Sequence, residues 1–294
     1  MDMILLLAVT VLLAAANAIA MKYVPEGSSR VPLLVTAVYT APIFLVYLLI
    51  VLLGGEAVSG PTVGWGLVRG IGYVITVAAN VFALQCGPLS YTTFIYAAGM
   101  VIPVFGSALL WGESIRPLQW VGIVLFLVSF YFICVLGKER GQKASRRWLP
   151  LCLIAGVGNG SLMLVAKIQQ MALQGQEATS MLAITYGTAS LLSLLCFLLM
   201  APLQKERLFP APMAGAFRGA LLPIALIAVT NGSVNFLTTY LSSRVDGAWL
   251  FPCVLGGNLL LVTLFSVLFL KEKLNRYGAI GMLCGVCAIV ALNV

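Results

Sequence analysis

Long apolar stretches separated by short polar ones run along almost the whole chain. Stretches free of Asp, Glu, Lys and Arg cover 3–21, 31–55, 70–112, 117–137, 148–166, 178–204, 219–243, 247–270 and 277–294. A helix needs about 20 mainly apolar residues to cross a bilayer, so all but one of these stretches predict a single span. The stretch 70–112 is too long for one helix, and the Gly-Pro turn signal in "QCGPLS" at 85–90 divides it into two. The pattern therefore predicts ten spans. The first ends in the small residues "AAANAIA", but Asp2 and the lack of Lys or Arg before Lys22 argue against a cleaved signal, so the span is read as retained.

The pattern also repeats. A shift of 159 residues lays Glu113 on Glu272, Ser107 on Ser266, Leu109 on Leu268, Ile115 on Leu274 and Gly122 on Gly281. A shift of 142 lays Asn17 on Asn159, and the longer linker "APLQKERLFPAPMAGAF" before the eighth span absorbs the 17-residue difference. The chain thus divides into a first five-helix unit at 1–137, a basic linker at 138–147 and a second five-helix unit at 148–294. An odd number of spans per unit forces the two to insert in opposite directions, an arrangement found in transporters. The expected class is an all-α integral membrane protein with ten transmembrane helices in two inverted five-helix repeats.

Composition supports the membrane reading. Of 294 residues, 61% are hydrophobic and 9% charged, where soluble proteins keep roughly a quarter charged. Mean hydropathy is +1.06. The net charge of +8 follows from topology rather than nucleic-acid binding. Lys22, Arg30, Lys138, Arg140, Lys143, Arg146, Arg147, Lys205, Arg207, Arg218, Lys271, Lys273 and Arg276 fall on one side; Arg69, Arg116, Lys167 and Arg244 fall on the other. Cytoplasmic loops collect Lys and Arg, so the linker is expected in the cytoplasm and both termini outside.

Both units close with the same outline: "SALLWGESIRPLQWVGIVLFLVSFYF" and "SVLFLKEKLNRYGAIGMLCGVCAIV". Each has a helix, a short loop with a Gly-Glu or Lys-Glu pair, and a closing helix. With the turn "LQCGPLSYTTFIYA", the chain resembles the EamA-type family of the drug/metabolite transporter superfamily over nearly its whole length. The resemblance implies spans one to four and six to nine around a central cavity, with the fifth and tenth peripheral. Many relatives keep both termini in the cytoplasm, and the charge distribution here departs from that.

The acids Asp2, Glu26, Glu56, Glu113, Glu139, Glu177, Glu206, Asp246 and Glu272 all fall at or near span ends, and the chain has no histidine. A midplane acid is the usual device for proton coupling, so carboxylate-driven antiport is not favoured. A histidine relay or histidine metal site is excluded. No nucleophile-base set points to an enzyme, and no cofactor or metal is expected. Glu113 and Glu272 read as loop anchors at the starts of the fifth and tenth spans, where the positive helix end is worth about 0.3–1 kcal/mol to a carboxylate.

Uncharged polar residues take the middle of the spans instead. Asn231, Asn235, Thr238 and Ser242 share one face of the eighth span, as do Tyr73, Thr76 and Asn80 on the third. The fourth aligns Thr92, Tyr96, Gly99, Pro103 and Ser107, with Phe251, Leu255, Asn258, Val262 and Ser266 as repeat mates on the ninth. Interhelical hydrogen bonds averaging about 0.6 kcal/mol explain some of these residues. The set as a whole points to a hydrogen-bonding cavity. The candidate substrate-binding residues are Asn17, Tyr73, Thr76, Asn80, Thr92, Tyr96, Asn159, Asn231, Asn235, Trp249 and Asn258.

Lys22, Lys167, Arg69 and Arg218 read as snorkelling anchors; two of them facing inward would point to an anionic substrate. "CGVC" at 284–287 lies within a span and reads as close helix packing, a face that a second copy could share as a homodimer through the tenth span. The expected function is transport of a small polar or amphipathic organic metabolite, amino-acid-like or otherwise neutral or zwitterionic, by a facilitator or exchanger. The alternatives are movement of quaternary-ammonium or drug-like cations through an aromatic cage, or a membrane scaffold or receptor without flux.

Overall fold

A computed structural model describes residues 3–21, 23, 30–86, 89–132, 136, 145–203, 217, 219–269 and 275–293. Its elements are α1 (Met3–Met21), α2 (Val31–Gly54), α3 (Gly60–Cys86), α4 (Leu89–Ala98), α5 (Val101–Trp111) and α6 (Pro117–Tyr131), followed by α7 (Trp148–Ala172), α8 (Ala178–Leu203), α9 (Leu221–Ser242), α10 (Gly247–Leu268) and α11 (Arg276–Asn293). No strand occurs among the described residues. Seven helices are long and apolar enough to cross a membrane, within α1, α2, α3, α7, α8, α9 and α10. Ile95–Trp111, Pro117–Tyr131 and Arg276–Ala288 are shorter apolar helices. This is a multi-pass, all-α membrane protein.

α3 ends at Cys86 and α4 begins at Leu89; the Gly-Pro pair of the expected turn, residues 87 and 88, lies outside the described residues. A second interruption was not anticipated: α4 stops at Ala98, Gly99 and Met100 form a turn, and α5 resumes at Val101. Pro103 has no N–H for the carbonyl of Gly99 four residues back, and its ring crowds that carbonyl. Ile102 N–H bonds to Gly99 O instead, at 3.0 Å, in a tighter turn. Gly99 also presses on α7, where a Cβ at Gly160 would come within 2.1 Å of Gly99 O. Only glycine tolerates that approach.

α2 lies along α8, α3 along α7 and α8, α6 along α11, and α1 against α9 and α10. One apolar cluster gathers α5, α6, α10 and α11 around Phe126, Phe130 and Phe251; another gathers α2, α3, α8 and α9 around Tyr39, Leu182, Tyr186 and Ile227. The outside is equally apolar, with Leu53 80%, Leu109 84% and Leu222 81% exposed. Water would penalise such a surface, whereas hydrocarbon accepts it once the backbone is bonded within helices.

The small-residue face of α11 is used inside the chain. Ser129 Oγ donates to Gly281 O at 2.7 Å, and a Cβ at Gly285 would meet Leu260 at 2.6 Å. The exposed side of α11 carries Leu283, Val286, Cys287 and Val290. Glu272, Lys22, Arg218 and most of the central linker fall outside the described residues.

Candidate substrate-binding site

α9 carries its polar side chains at intervals of four, which places Asn231, Asn235 and Thr239 on one stripe facing α3. Asn231 lies at the middle of that helix. Its Oδ1 accepts from Tyr186 Oη at 2.7 Å, from Asn235 Nδ2 at 3.3 Å and from Tyr73 Oη at 3.4 Å. Tyr73 and Tyr39 share a hydrogen bond of 2.6 Å, and Tyr47 Oη donates to Gly232 O at 2.8 Å. The rings of Tyr73 and Tyr186 meet edge-on with centroids 6.0 Å apart, and Tyr47 stacks on Tyr186 at 6.0 Å.

Arg69 completes this cluster and corrects the expectation of a snorkelling anchor. Its Nη2 donates to Asn235 Oδ1 at 3.0 Å and its Nη1 to Thr239 Oγ1 at 3.2 Å, and the residue is buried. Nine residues into α3, about 13 Å along the helix axis, the guanidinium turns to α9 instead of reaching back to the interface. Lys167 is corrected too. It is buried and pairs with Glu113, with Trp111 beneath its ammonium at 5.5 Å. Two of the four supposed anchors therefore face inward, but Glu113 neutralises only one of them.

The remaining expected residues divide by what they touch. Asn17 Nδ2 donates to Thr230 Oγ1 at 3.0 Å and Ile227 O at 3.3 Å, joining α1 to α9. Asn159 Nδ2 donates to Tyr96 O at 3.3 Å, a second bond to a carbonyl that also accepts from Gly99 N–H at the break after α4. Thr92 accepts from Trp148 Nε1 at 2.9 Å at the linker end of α7, away from the tyrosine cluster. Thr76 is buried against Gly158, and its hydroxyl has no hydrogen-bond partner among the described residues. Asn80 is half-buried on α3, and Trp249 packs at the first turn of α10. Asn258, central on α10, has a buried Oδ1 with no partner among the described residues. Tyr39, Tyr47, Tyr186, Thr239 and Arg69 lie in the cluster and are absent from the expected set.

At one end of the bundle, bonds cross between residues before and after the central linker. Glu177 Oε2 accepts from Ser59 N–H at 2.9 Å and Ser59 Oγ at 2.8 Å, so a carboxylate from the 173–177 loop meets the start of α3. Burial would push the Glu177 carboxyl up, but the hydrogen bonds from Thr62 and Ser59 outweigh it and hold it below the ordinary carboxylate range. Glu113 Oε2 accepts from Gly247 N–H at 2.8 Å. Glu113 thus serves the N-terminus of α10, not the following α6 as expected, because its loop packs against α7 and α10. Gln169 Nε2 donates to Thr62 Oγ1 at 3.2 Å, another tie at the same end.

An apolar groove of about 590 Å³ lies between α1, α2 and α9, lined by Leu13, Val46, Ile50, Val229 and Phe236. Tyr47 separates it from the Asn231 cluster.

No family model matches the chain, and no curated protein matches it. Twenty-nine chains of solved structures do. One, titled only "Crystal structure of protein", superposes with a TM-score of 0.78 over 99% of this chain and 97% of its own, at 18% identity. At that identity the likeness establishes the fold.

Proposed function

We propose that this protein is an alternating-access transporter of the EamA type, with ten spans in two inverted five-helix units, moving a small polar or amphipathic organic solute as a facilitator or exchanger. The observation that carries the proposal is the polar cluster of Tyr73, Asn231 and Asn235, built from both halves of the sequence and lying deep among apolar helices. Transporters place their sites near the midplane where the halves meet, and line them with interrupted helices. The break at Gly99 supplies such an interruption. Its repeat mate on α10 is Asn258, whose amide oxygen has no partner among the described residues.

Helix pairing supports the inverted arrangement. Exchanging α1 with α7, α2 with α8, α3 with α9, α4 and α5 with α10, and α6 with α11 turns the α3–α7 contact into α9–α1 and α3–α8 into α9–α2. The α2–α8 and α6–α11 contacts map onto themselves. The loops 55–59, 112–116, 173–177 and 243–246 gather at one end through Glu177, Lys167 and Glu113, as alternating crossings require.

A thermal-shift screen of the detergent-purified protein with amino acids, nucleosides, sugars, quaternary amines and organic phosphates tests the reading, since a solute that binds the folded state raises its apparent stability. Orientation has its own test. A cysteine placed at position 142 in the basic linker should react only with reagents that reach the cytoplasm. Labelling of that position by an impermeant reagent in intact cells would reverse the assignment of both termini to the outside.

A further inference from the structure

Arg69 sits within the polar cluster with no acidic partner among the described residues. Glu56, Glu113, Glu177 and Asp246 are the described acids; all lie in end loops, and none pairs with Arg69. Its two hydrogen bonds go to neutral acceptors, Asn235 Oδ1 and Thr239 Oγ1. A guanidinium presents five N–H donors and stays charged at all accessible pH values. A cation inside a membrane protein is costly and is retained where it is used.

The neighbours sharpen the chemistry. Asn231 Oδ1 already accepts from two tyrosines and from Asn235, while no partner among the described residues accepts from Asn231 Nδ2. The principal acceptors of the cluster are thus occupied by internal donors, and the groups left over are donors beside a positive charge. Such a site matches an acceptor-rich anion. One guanidinium balances one negative charge; a phosphate monoester carries about −1.5 to −2 and would leave an excess. A carboxylate fits the planar fork and the charge together.

We propose that Arg69 anchors the carboxylate of a small organic monocarboxylate, with the remainder of the solute lying along Tyr73 and Asn231. The inference rests on the transporter reading and narrows its substrate class. If Arg69 only tied α3 to α9, removing it would lower stability. As a ligand group it leaves an unbalanced charge in the empty protein, and relief of that charge on removal offsets the loss of the bonds to Asn235 and Thr239.

The test compares acetate, pyruvate, 3-phenylpropionate and leucine with the primary amide of each, and with phenyl phosphate, by thermal shift on the purified full chain. At least one carboxylate should stabilise the wild type while its amide does so about tenfold less effectively or worse, with phenyl phosphate weaker than the carboxylate. Arg69→Gln should melt no lower than wild type without ligand and bind that carboxylate about 10- to 150-fold more weakly, the range for a lost charged hydrogen bond. Arg69→Lys, which keeps the charge but loses the fork, should fall between. Amides that bind as well as carboxylates, or variants at Arg69 that bind carboxylate normally, would overturn the anion site and leave transport standing. If Arg69→Gln does not fold, wild-type affinity in Arg69→Lys together with amide binding overturns the proposal, and weakened carboxylate-selective binding upholds it. No stabilisation by any charged or neutral solute, together with no flux, would overturn both readings.

Discussion

Asn258→Leu should bind substrate roughly 5- to 150-fold more weakly than wild type while melting no lower. The side-chain oxygen of Asn258 is buried at the centre of α10 and no described group donates to it. A buried polar atom without a partner costs about 1–3 kcal/mol, which the empty protein bears for as long as the site is unfilled. A solute N–H or O–H at that point would relieve the cost, so the same 1–3 kcal/mol appears as affinity. Leucine removes both the penalty and the contact. Binding and melting measured on one preparation separate this from general damage, which would lower both. Normal binding and transport by both Asn258→Leu and Asn235→Leu would remove these amides from the site.

The second large effect is expected at the far end of the bundle. Glu113→Gln should destabilise the protein by about 3 kcal/mol, the lower bound for breaking a buried ion pair by deleting one partner. Lys167 is left fully buried by the change, and the N-terminus of α10 loses its carboxylate. Adding Lys167→Met to Glu113→Gln should recover most of the loss, since removing both charges also removes the unbalanced one. Residual transport should keep its pH profile throughout. Unchanged stability with an altered pH profile would instead place Glu113 in the coupling machinery.

Seven of the expected spans were legible because bilayer thickness sets a length that apolar stretches display directly. The loop holding Glu113 was equally readable, being marked by charge. The break at Gly99 was signalled by Pro103 four residues on, yet apolar continuity across 95–111 conceals it, and only the contact with Gly160 on α7 gives it a purpose. Arg69 was harder still. A basic residue in the first third of a span resembles an anchor in sequence, and the acceptors that hold it lie 166 and 170 residues away in the chain. Glu113 was placed correctly at a helix N-terminus but assigned to the wrong helix, since its partners Lys167 and Gly247 are brought near only by the packing of α7 and α10. Among the expected amides, Asn17 and Asn159 hold helices together, and spacing alone does not separate them from Asn231 and Asn258.

Flux decides the central claim. Purified protein reconstituted into proteoliposomes should take up the solute that most stabilises it, at a rate that saturates and that rises when the same unlabelled solute is loaded inside, while Asn231→Leu vesicles should match protein-free ones. Tight binding by the wild type with uptake no faster than in protein-free vesicles would contradict alternating access and leave a membrane receptor in its place.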